Sequence, residues 1–173
     1  MKESMIQVEL AHSSLGIVLV AVTTEGIRTV QIGDDPAALT REAEARLGTT
    51  LQFPDARTSA IARQVVEFLE TPGAPIDIPL DIHGTPFQQS VWKALREIPA
   101  GSTISYTELA ERIGRPAAVR AVAHACAENA HAVLIPCHRV VRNDGSLAGY
   151  RWGIERKRAL LEREAMQPAC GTA

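Results

Sequence analysis

Cys137 and His138 place a nucleophile next to a base, in the run Pro136 to Val140. The reactive form of cysteine is the thiolate, and a free thiol with a pKa near ~8.5 holds only a few per cent of it at neutral pH. Adjacent side chains on an extended chain point to opposite sides, so a water molecule could carry the proton to the histidine. The apolar run 132–135 predicts that the cysteine is held at the end of a buried segment. The dipeptide alone also fits a structural cysteine, because buried inert cysteines outnumber catalytic ones.

A histidine base needs a group that orients it, and the run LLEREAM near the end of the chain offers two carboxylates. These are Glu162 and Glu164, and their spacing alone does not choose between them. Asn129 ends a predicted helix and reads as a helix C-cap.

The chain has three cysteines, Cys126, Cys137 and Cys170, which cannot all pair with one another. We expect Cys126 in a helix core and Cys170 in a loose tail. The set His124, Cys126 and His131 does not form a recognised tetrahedral pattern, so we predict no metal site.

The elements before the Cys-His pair read as helices. Apolar residues recur at helical spacing from Pro86 to Ile98. A short helix over 105–113 closes at Gly114, and Pro116 begins a second, alanine-rich helix that runs to about Asn129. Two helices joined by a tight glycine-containing turn predict a helix-turn-helix, although an ordinary helical hairpin has the same pattern.

The first half of the chain predicts a small α/β unit. Strands are expected over 5–10, 16–22 and 26–32, with turn residues between them, which makes an antiparallel meander. Helices are expected over 35–47 and 58–69, the second from its amphipathic pattern.

Charge and composition indicate two domains. Residues 71–85 are rich in proline and glycine and predict an extended connector, so we place the boundary near Thr85. Residues 1–85 carry 12 acidic and six basic side chains, whereas residues 86–160 carry six acidic and 11 basic ones. This imbalance favours contact of the second domain, 86–173, with a polyanion.

A chain of 173 residues is long enough to bury one large hydrophobic core or two small ones. No apolar run reaches the roughly 18 residues that span a bilayer, and the first residues lack the pattern of a signal peptide. We therefore predict a cytoplasmic protein without membrane contact.

Two strings identify a family. PCHRVVRNDGSLAGYRWG at 136–153, together with VRAVAHACAEN at 119–129, strongly resembles the O6-alkylguanine-DNA alkyltransferases, whose active-site signature is PCHRV. The resemblance is close over 86–164 and extends over 1–85 in pattern. Within the family, the chain most resembles the alkyltransferase half of Ada proteins.

The resemblance implies both a fold and a reaction. The expected fold is an α/β N-terminal domain, ribonuclease H-like, with a small antiparallel sheet and helices, followed by a mainly α, winged-helix-like C-terminal domain containing the helix-turn-helix. The expected reaction moves an alkyl group, chiefly methyl, from O6 of guanine in DNA irreversibly to Cys137. A thioether offers water no carbonyl to attack, so each chain would act once, with no cofactor.

The family's catalytic roles carry over to four residues. Cys137 would accept the alkyl group, and His138 would remove its proton through water. Glu164 would orient His138, and Asn129 would be the hinge that ties the second helix to the active-site loop.

Four further residues match the family's DNA and substrate contacts. Tyr106 would help to rotate the nucleotide out of the helix, and Arg120 would enter from the minor groove of double-stranded DNA and fill the gap. Val140 would bind the guanine amino group through its backbone carbonyl, and Tyr150 would donate toward the base. A monomer is expected.

The chain departs from some family members in carrying Ala132 where they have proline and Trp152 where they have glycine. Trp152 is expected to restrict bulky alkyl groups. One alternative function is a cysteine hydrolase, which would release many products per chain. Another is a non-catalytic sensor of alkylated DNA or a helix-turn-helix DNA-binding protein, although such sensors lack the acceptor cysteine.

Overall fold

The computed structural model describes residues 5–167. It contains two compact units, the first ending at Ile82 and the second beginning at His83. Within the described residues, no helix is both long and apolar enough to cross a bilayer. Cys170 lies outside them.

The first unit is a three-stranded antiparallel sheet with two helices packed on it, which confirms the small sheet with helices expected from the sequence. Strand β2 is central and contributes most to the core, since its residues from Val18 to Val22 are almost wholly buried. Asp35 and Asp55 cap the two helices by accepting backbone N–H groups with their side chains. The elements are β1 Gln7–Ser13, β2 Gly16–Thr23, β3 Gly26–Gly33, α1 Pro36–Leu47 and α2 Ala56–Glu70.

The bounds of the first strand differ from those expected over residues 5–10. Pairing between β1 and β2 continues to Ser13 opposite Gly16, because the hairpin turns through only two residues. The Ser13 hydroxyl also donates to the Gly16 carbonyl at 2.8 Å.

The connector after α2 is extended, as expected, and is tied to the sheet. The amide of Ile27 donates to the carbonyl of Pro79 at 2.9 Å, and the amide of Asp81 donates to the carbonyl of Ile27 at 2.8 Å. Gly26 has φ +140°, and a Cβ on it would lie 2.1 Å from the Pro79 oxygen. Only glycine therefore allows the connector to approach β3 this closely.

The second unit contains four helices of more than one turn within the described residues. Capping boxes begin α3 and α4, at Thr85 with Gln88 and at Ser105 with Glu108. The indole N–H of Trp92 donates to the carbonyl of Ala125 at 2.9 Å, which fixes α3 against α5. The elements are α3 Pro86–Arg96, β4 Ile104–Ser105, α4 Tyr106–Arg112, α5 Val119–Ala127, a 3₁₀ turn Cys137–Arg139, β5 Val140–Val141 and α6 Ile154–Met166.

Two successive short helices are present where the helix-turn-helix is predicted. Gly114, at φ +74°, follows α4. However, α5 begins at Val119 and not at Pro116. Residues 115–118 form a turn closed by a bond from the Ala118 amide to the Arg115 carbonyl at 2.9 Å, and α5 then begins without a side-chain cap.

A two-residue parallel pairing joins distant parts of this unit. Ile104 pairs with Val140 and Ser105 pairs with Val141. Because β4 leads directly into α4 and β5 follows the 3₁₀ turn, the start of α4 is held beside the segment that carries Cys137.

Candidate active site

Cys137 follows a series of tight turns in the apolar run 132–135, most of which is buried, as the sequence predicted. The Leu134 amide donates to the Ala132 carbonyl at 2.7 Å, with Val133 between them at φ +67°, a strained conformation for a β-branched residue. The Cys137 amide then donates to the Ile135 carbonyl at 2.8 Å. These turns hold Cys137 in a buried position, where it is only 6% exposed.

Asn129 holds this loop from inside. Its side-chain amide Nδ2 donates to the Ile135 carbonyl at 2.8 Å and to the Cys137 Sγ at 3.3 Å. Its Oδ1 accepts the His131 amide at 2.9 Å. Asn129 is fully buried, so these bonds are made away from water and the residue is more than a helix cap.

The predicted histidine and carboxylate are paired. The Nε2 atom of His138 lies 2.8 Å from Oε1 of Glu164, and both side chains are buried. Arg139 also donates to both carboxylate oxygens, from Nε and Nη2, at 2.8 to 3.2 Å. Glu162 is exposed, so the choice that spacing left open falls on Glu164.

This network determines which nitrogen of His138 carries the proton. Burial alone would raise the pKa of Glu164, but the hydrogen bonds from His138 and Arg139 outweigh it and lower the pKa to about 2. An ionised carboxylate needs a donor, so Nε2 carries the hydrogen. The Nδ1 atom is then an unprotonated acceptor. It is buried and has no hydrogen-bond partner within residues 5–167.

Glu164 should make stability depend on pH. Its pKa is about 2 in the folded chain against an ordinary 4.5, so its contribution, about 3 kcal/mol, is complete above pH ~4.5 and is lost as pH falls through ~2. We expect Glu164→Gln to remove this dependence. Urea unfolding from pH ~5 to ~2 measures it as the difference in unfolding free energy between the two chains. The same difference at every pH would contradict the assignment.

Lys157 is a basic residue whose charge acts on Cys137 and which the sequence analysis did not single out. It is fully buried, on the same face of α6 as Leu160 and Glu164, at spacings of three and seven residues. Burial lowers its pKa. Burial also raises the pKa of the Cys137 thiol, against which the Asn129 hydrogen bond and then the charge of Lys157 act. The thiol is therefore protonated at rest and needs a base.

A cavity of about 540 Å³ opens above Cys137, within the size range of small-molecule sites. Tyr106 and Tyr150 both line it. Burial raises the pKa of Tyr106 to about 12 and raises that of Tyr150 well above its usual value, so both keep their hydroxyl protons. The buried Tyr150 hydroxyl has no hydrogen-bond partner in the described part of the chain. The cavity therefore offers hydroxyl donors facing a thiol.

The wall of the cavity includes Arg151, whereas Trp152 is not among its lining residues. Trp152 is buried beneath it, with the Arg151 guanidinium 5.3 Å from its ring centroid and the Tyr150 ring edge-to-face at 5.3 Å. Nη1 of Arg151 donates to the Asn129 carbonyl at 2.8 Å. Trp152 thus supports the two residues that meet the cavity, and the restriction on bulky groups assigned to it remains a prediction.

Of the four predicted catalytic residues only Cys137 lines this cavity, and of the four predicted DNA and substrate contacts Tyr106 and Tyr150 line it, whereas Arg120 and Val140 do not. Arg120 is exposed on α5, and Val140 is buried in β5, where it pairs with Ile104. Cys126 is buried, as expected, but it also lines the cavity. Among the described residues, no three side chains of the metal-binding types form a cluster.

Comparisons with known proteins agree on one family. Residues 86–166 match the family model described as 6-O-methylguanine DNA methyltransferase, DNA binding domain. The chain is 51% identical over 157 residues to the bifunctional transcriptional activator/DNA repair enzyme Ada of Escherichia coli, covering 90% of this chain and 44% of that protein. The chain thus spans less than half the length of the first curated relatives it matches.

Solved structures cover nearly the whole chain. The crystal structure of Mycobacterium tuberculosis O6-methylguanine methyltransferase has a TM-score of 0.79 and 35% identity, over 96% of this chain and 97% of that one. A structure of Mycobacterium tuberculosis OGT in complex with DNA has a TM-score of 0.76 and 36% identity, over 92% of each chain.

Proposed function

The chain belongs to the O6-methylguanine-DNA methyltransferase family, and we propose that it repairs DNA by moving the alkyl group, chiefly methyl, from O6-alkylguanine to its own Cys137. The observation that carries this proposal is the buried cluster around Cys137, which itself lines the cavity. The thiol is hydrogen-bonded by Asn129, and the next residue, His138, is held by an ionised carboxylate.

The first step is removal of the thiol proton. In the proposed step, a water molecule takes the proton from Cys137 Sγ and passes one to Nδ1 of His138, the unprotonated nitrogen. Glu164 then stabilises the positive imidazolium through Nε2. Lys157 and the Asn129 amide favour the thiolate that remains.

The second step is displacement at the alkyl carbon. The thiolate forms a carbon–sulfur bond as the bond from carbon to O6 breaks, and the electron pair of that bond leaves with guanine. A hydroxyl donor in the cavity, Tyr150 or Tyr106, can supply a proton to the departing base, which makes it a better leaving group. The product is a thioether on Cys137. Water cannot easily hydrolyse it, so each chain acts once.

Reaching O6 requires the base to leave the duplex, because this atom lies on the paired edge. We propose that the exposed Arg120 enters the stack from the minor groove of double-stranded DNA, while Tyr106 at the start of α4 helps to turn the nucleotide outward. Alanines around Arg120 would let α5 approach the groove closely. Val140 would contribute its backbone carbonyl to the bound guanine.

The two domains on either side of residue 85 would have different roles. We propose that residues 1–85 form a structural, ribonuclease H-like domain and that residues 86–173 form the winged-helix-like DNA-binding and acceptor domain. The protein would act as a monomer in the cytoplasm, without a cofactor.

Duplex DNA carrying isotopically labelled O6-methylguanine tests the proposal. After incubation, mass spectrometry of the digested protein should find one methyl group per chain, on Cys137, with guanine restored in the DNA. Release of free methyl product over many cycles would instead indicate a hydrolase. Binding without any transfer would indicate a sensor.

A further inference from the structure

Besides Arg151, the cavity that contains Cys137 is lined by a second arginine, Arg142. The proposed reaction does not use Arg142. It is exposed, and it lines the cavity together with Tyr106. Within residues 5–167 its side chain makes no ion pair and no hydrogen bond. An arginine with no protein partner beside a ligand cavity is available to bind an anion, and its planar fork of donors suits phosphate.

The fold fixes the position of Arg142 relative to Tyr106. Ser105 pairs with Val141 in the parallel β4–β5 ladder, so the next residues, Tyr106 and Arg142, leave the ladder at the same end. The positive charge of Arg142 lowers the pKa of Tyr106 against the larger effect of burial, which indicates that the two side chains are near each other.

The backbone of Arg142 is held on both sides although its side chain is exposed. Its amide donates to the Ser146 carbonyl at 3.0 Å, and its carbonyl accepts the Gly145 amide at 2.8 Å. The nearby carboxylate of Asp144 accepts the Ser146 amide at 2.9 Å and the Ser146 hydroxyl at 2.6 Å through Oδ1. It makes no ion pair with Arg142, although, after these hydrogen bonds, the charge of Arg142 contributes to lowering the pKa of Asp144. The turn therefore leaves the exposed Arg142 side chain without an ion-pair partner among the described residues.

We propose that Arg142 binds a backbone phosphate next to the flipped nucleotide, and that it does so at the mouth of the acceptor cavity. The inference rests on the proposed function. When a base enters the cavity toward the buried Cys137, its sugar and flanking phosphates stay at the exposed side, where Arg142 lies. Phosphate contacts fix the position of a protein on DNA without reading sequence. This contact would hold the nucleotide outside the duplex while Cys137 reacts.

The test compares two substrates that carry the same alkyl group. One is duplex DNA with O6-methylguanine, and the other is free O6-methylguanine base, which has no phosphate. Methylation of Cys137 is followed by mass spectrometry at several KCl concentrations. For Arg142→Ala we expect the ratio of the duplex rate to the free-base rate to fall about tenfold, because a charged hydrogen bond to phosphate is lost. The slope of log rate against log salt should become less steep by about 0.9.

Two further variants test whether the effect depends on the positive charge and on its position. Arg142→Lys keeps the charge and should keep the salt slope of the unmodified chain. Arg158→Ala removes the same charge from α6, where Arg158 is paired with Glu155, and should change neither the ratio nor the slope. Thermal melting checks that each variant is folded.

The inference and the proposed function fail in different ways. If the unmodified chain methylates Cys137 from neither substrate, the proposed function is wrong. If it does so from both, and Arg142→Ala shows the same ratio and slope as the unmodified chain, Arg142 does not bind phosphate. A slope for Arg142→Lys equal to that of Arg142→Ala would also overturn the inference, because charge would then not matter.

Discussion

Replacing Cys137 with serine is expected to abolish methyl transfer from O6-methylguanine in DNA. The hydroxyl has nearly the same shape, but it is far less acidic than a thiol and a much weaker nucleophile, so His138 cannot generate a reactive anion from it. The buried environment, which already raises the pKa of the thiol, would disfavour an alkoxide further. The measurement is the amount of labelled methyl bound per chain after long incubation.

The matched control is Cys126→Ser, which removes the other thiol that lines the cavity. Label should still be found on Cys137 in that variant. Label on Cys126 in the Cys137→Ser chain would show that the cavity delivers the methyl group to a different acceptor. Both variants must first be shown to bind methylated duplex DNA, so that loss of transfer is not loss of binding.

Replacing His138 with glutamine is expected to slow transfer by about a hundredfold to ten-thousandfold, the usual contribution of a positioned base. The glutamine amide can still donate to Glu164, as Nε2 does now, but it cannot accept a proton from Cys137. The rate constant for methylation of Cys137 under single-turnover conditions measures the loss. His12→Gln, on an exposed position of β1, is the control.

The same variant should also change the dependence of the rate on pH. Burial lowers the pKa of His138 from its ordinary 6.5, despite the opposing effect of Glu164, so the unmodified chain keeps a neutral base below that pH. The variant has no such base, and its rate should rise continuously into the alkaline range as hydroxide generates the thiolate. Parallel pH profiles for the two chains would exclude His138 as the base.

Much of this site was predictable because the acceptor and its base are adjacent in sequence, and the string around them is distinctive. Spacing alone did not choose between Glu162 and Glu164, and the family resemblance selected Glu164; in the structure the helical phase of α6 buries Glu164 and exposes Glu162. Lys157 was missed for a physical reason. A lysine in a charged helix normally lies in water, and the pattern IERKRALLEREAM gives no sign that this one is buried.

Tertiary contacts decide the backbone conformation before Cys137. The apolar run there is largely buried, as the sequence predicted, but it forms turns that the hydrogen bonds of Asn129 hold in place, which no local pattern indicates. Trp152 was predicted to restrict bulky alkyl groups, which stays a prediction; in the structure its neighbour Arg151 lines the cavity and donates to the Asn129 carbonyl, whereas Trp152 does not line it. Side-chain size alone does not tell which of two adjacent residues faces a cavity.

The short β4–β5 ladder limits how the length of this chain can vary. It joins the segment that carries Tyr106 to the one that carries Cys137 through two residue pairs, and a slip of one residue would turn every side chain to the opposite face. Insertions or deletions within 104–106 or 137–142 would therefore misalign Cys137 with Tyr106. The turn at 143–146 lies outside the ladder and is exposed, so changes of length can accumulate there without altering that alignment.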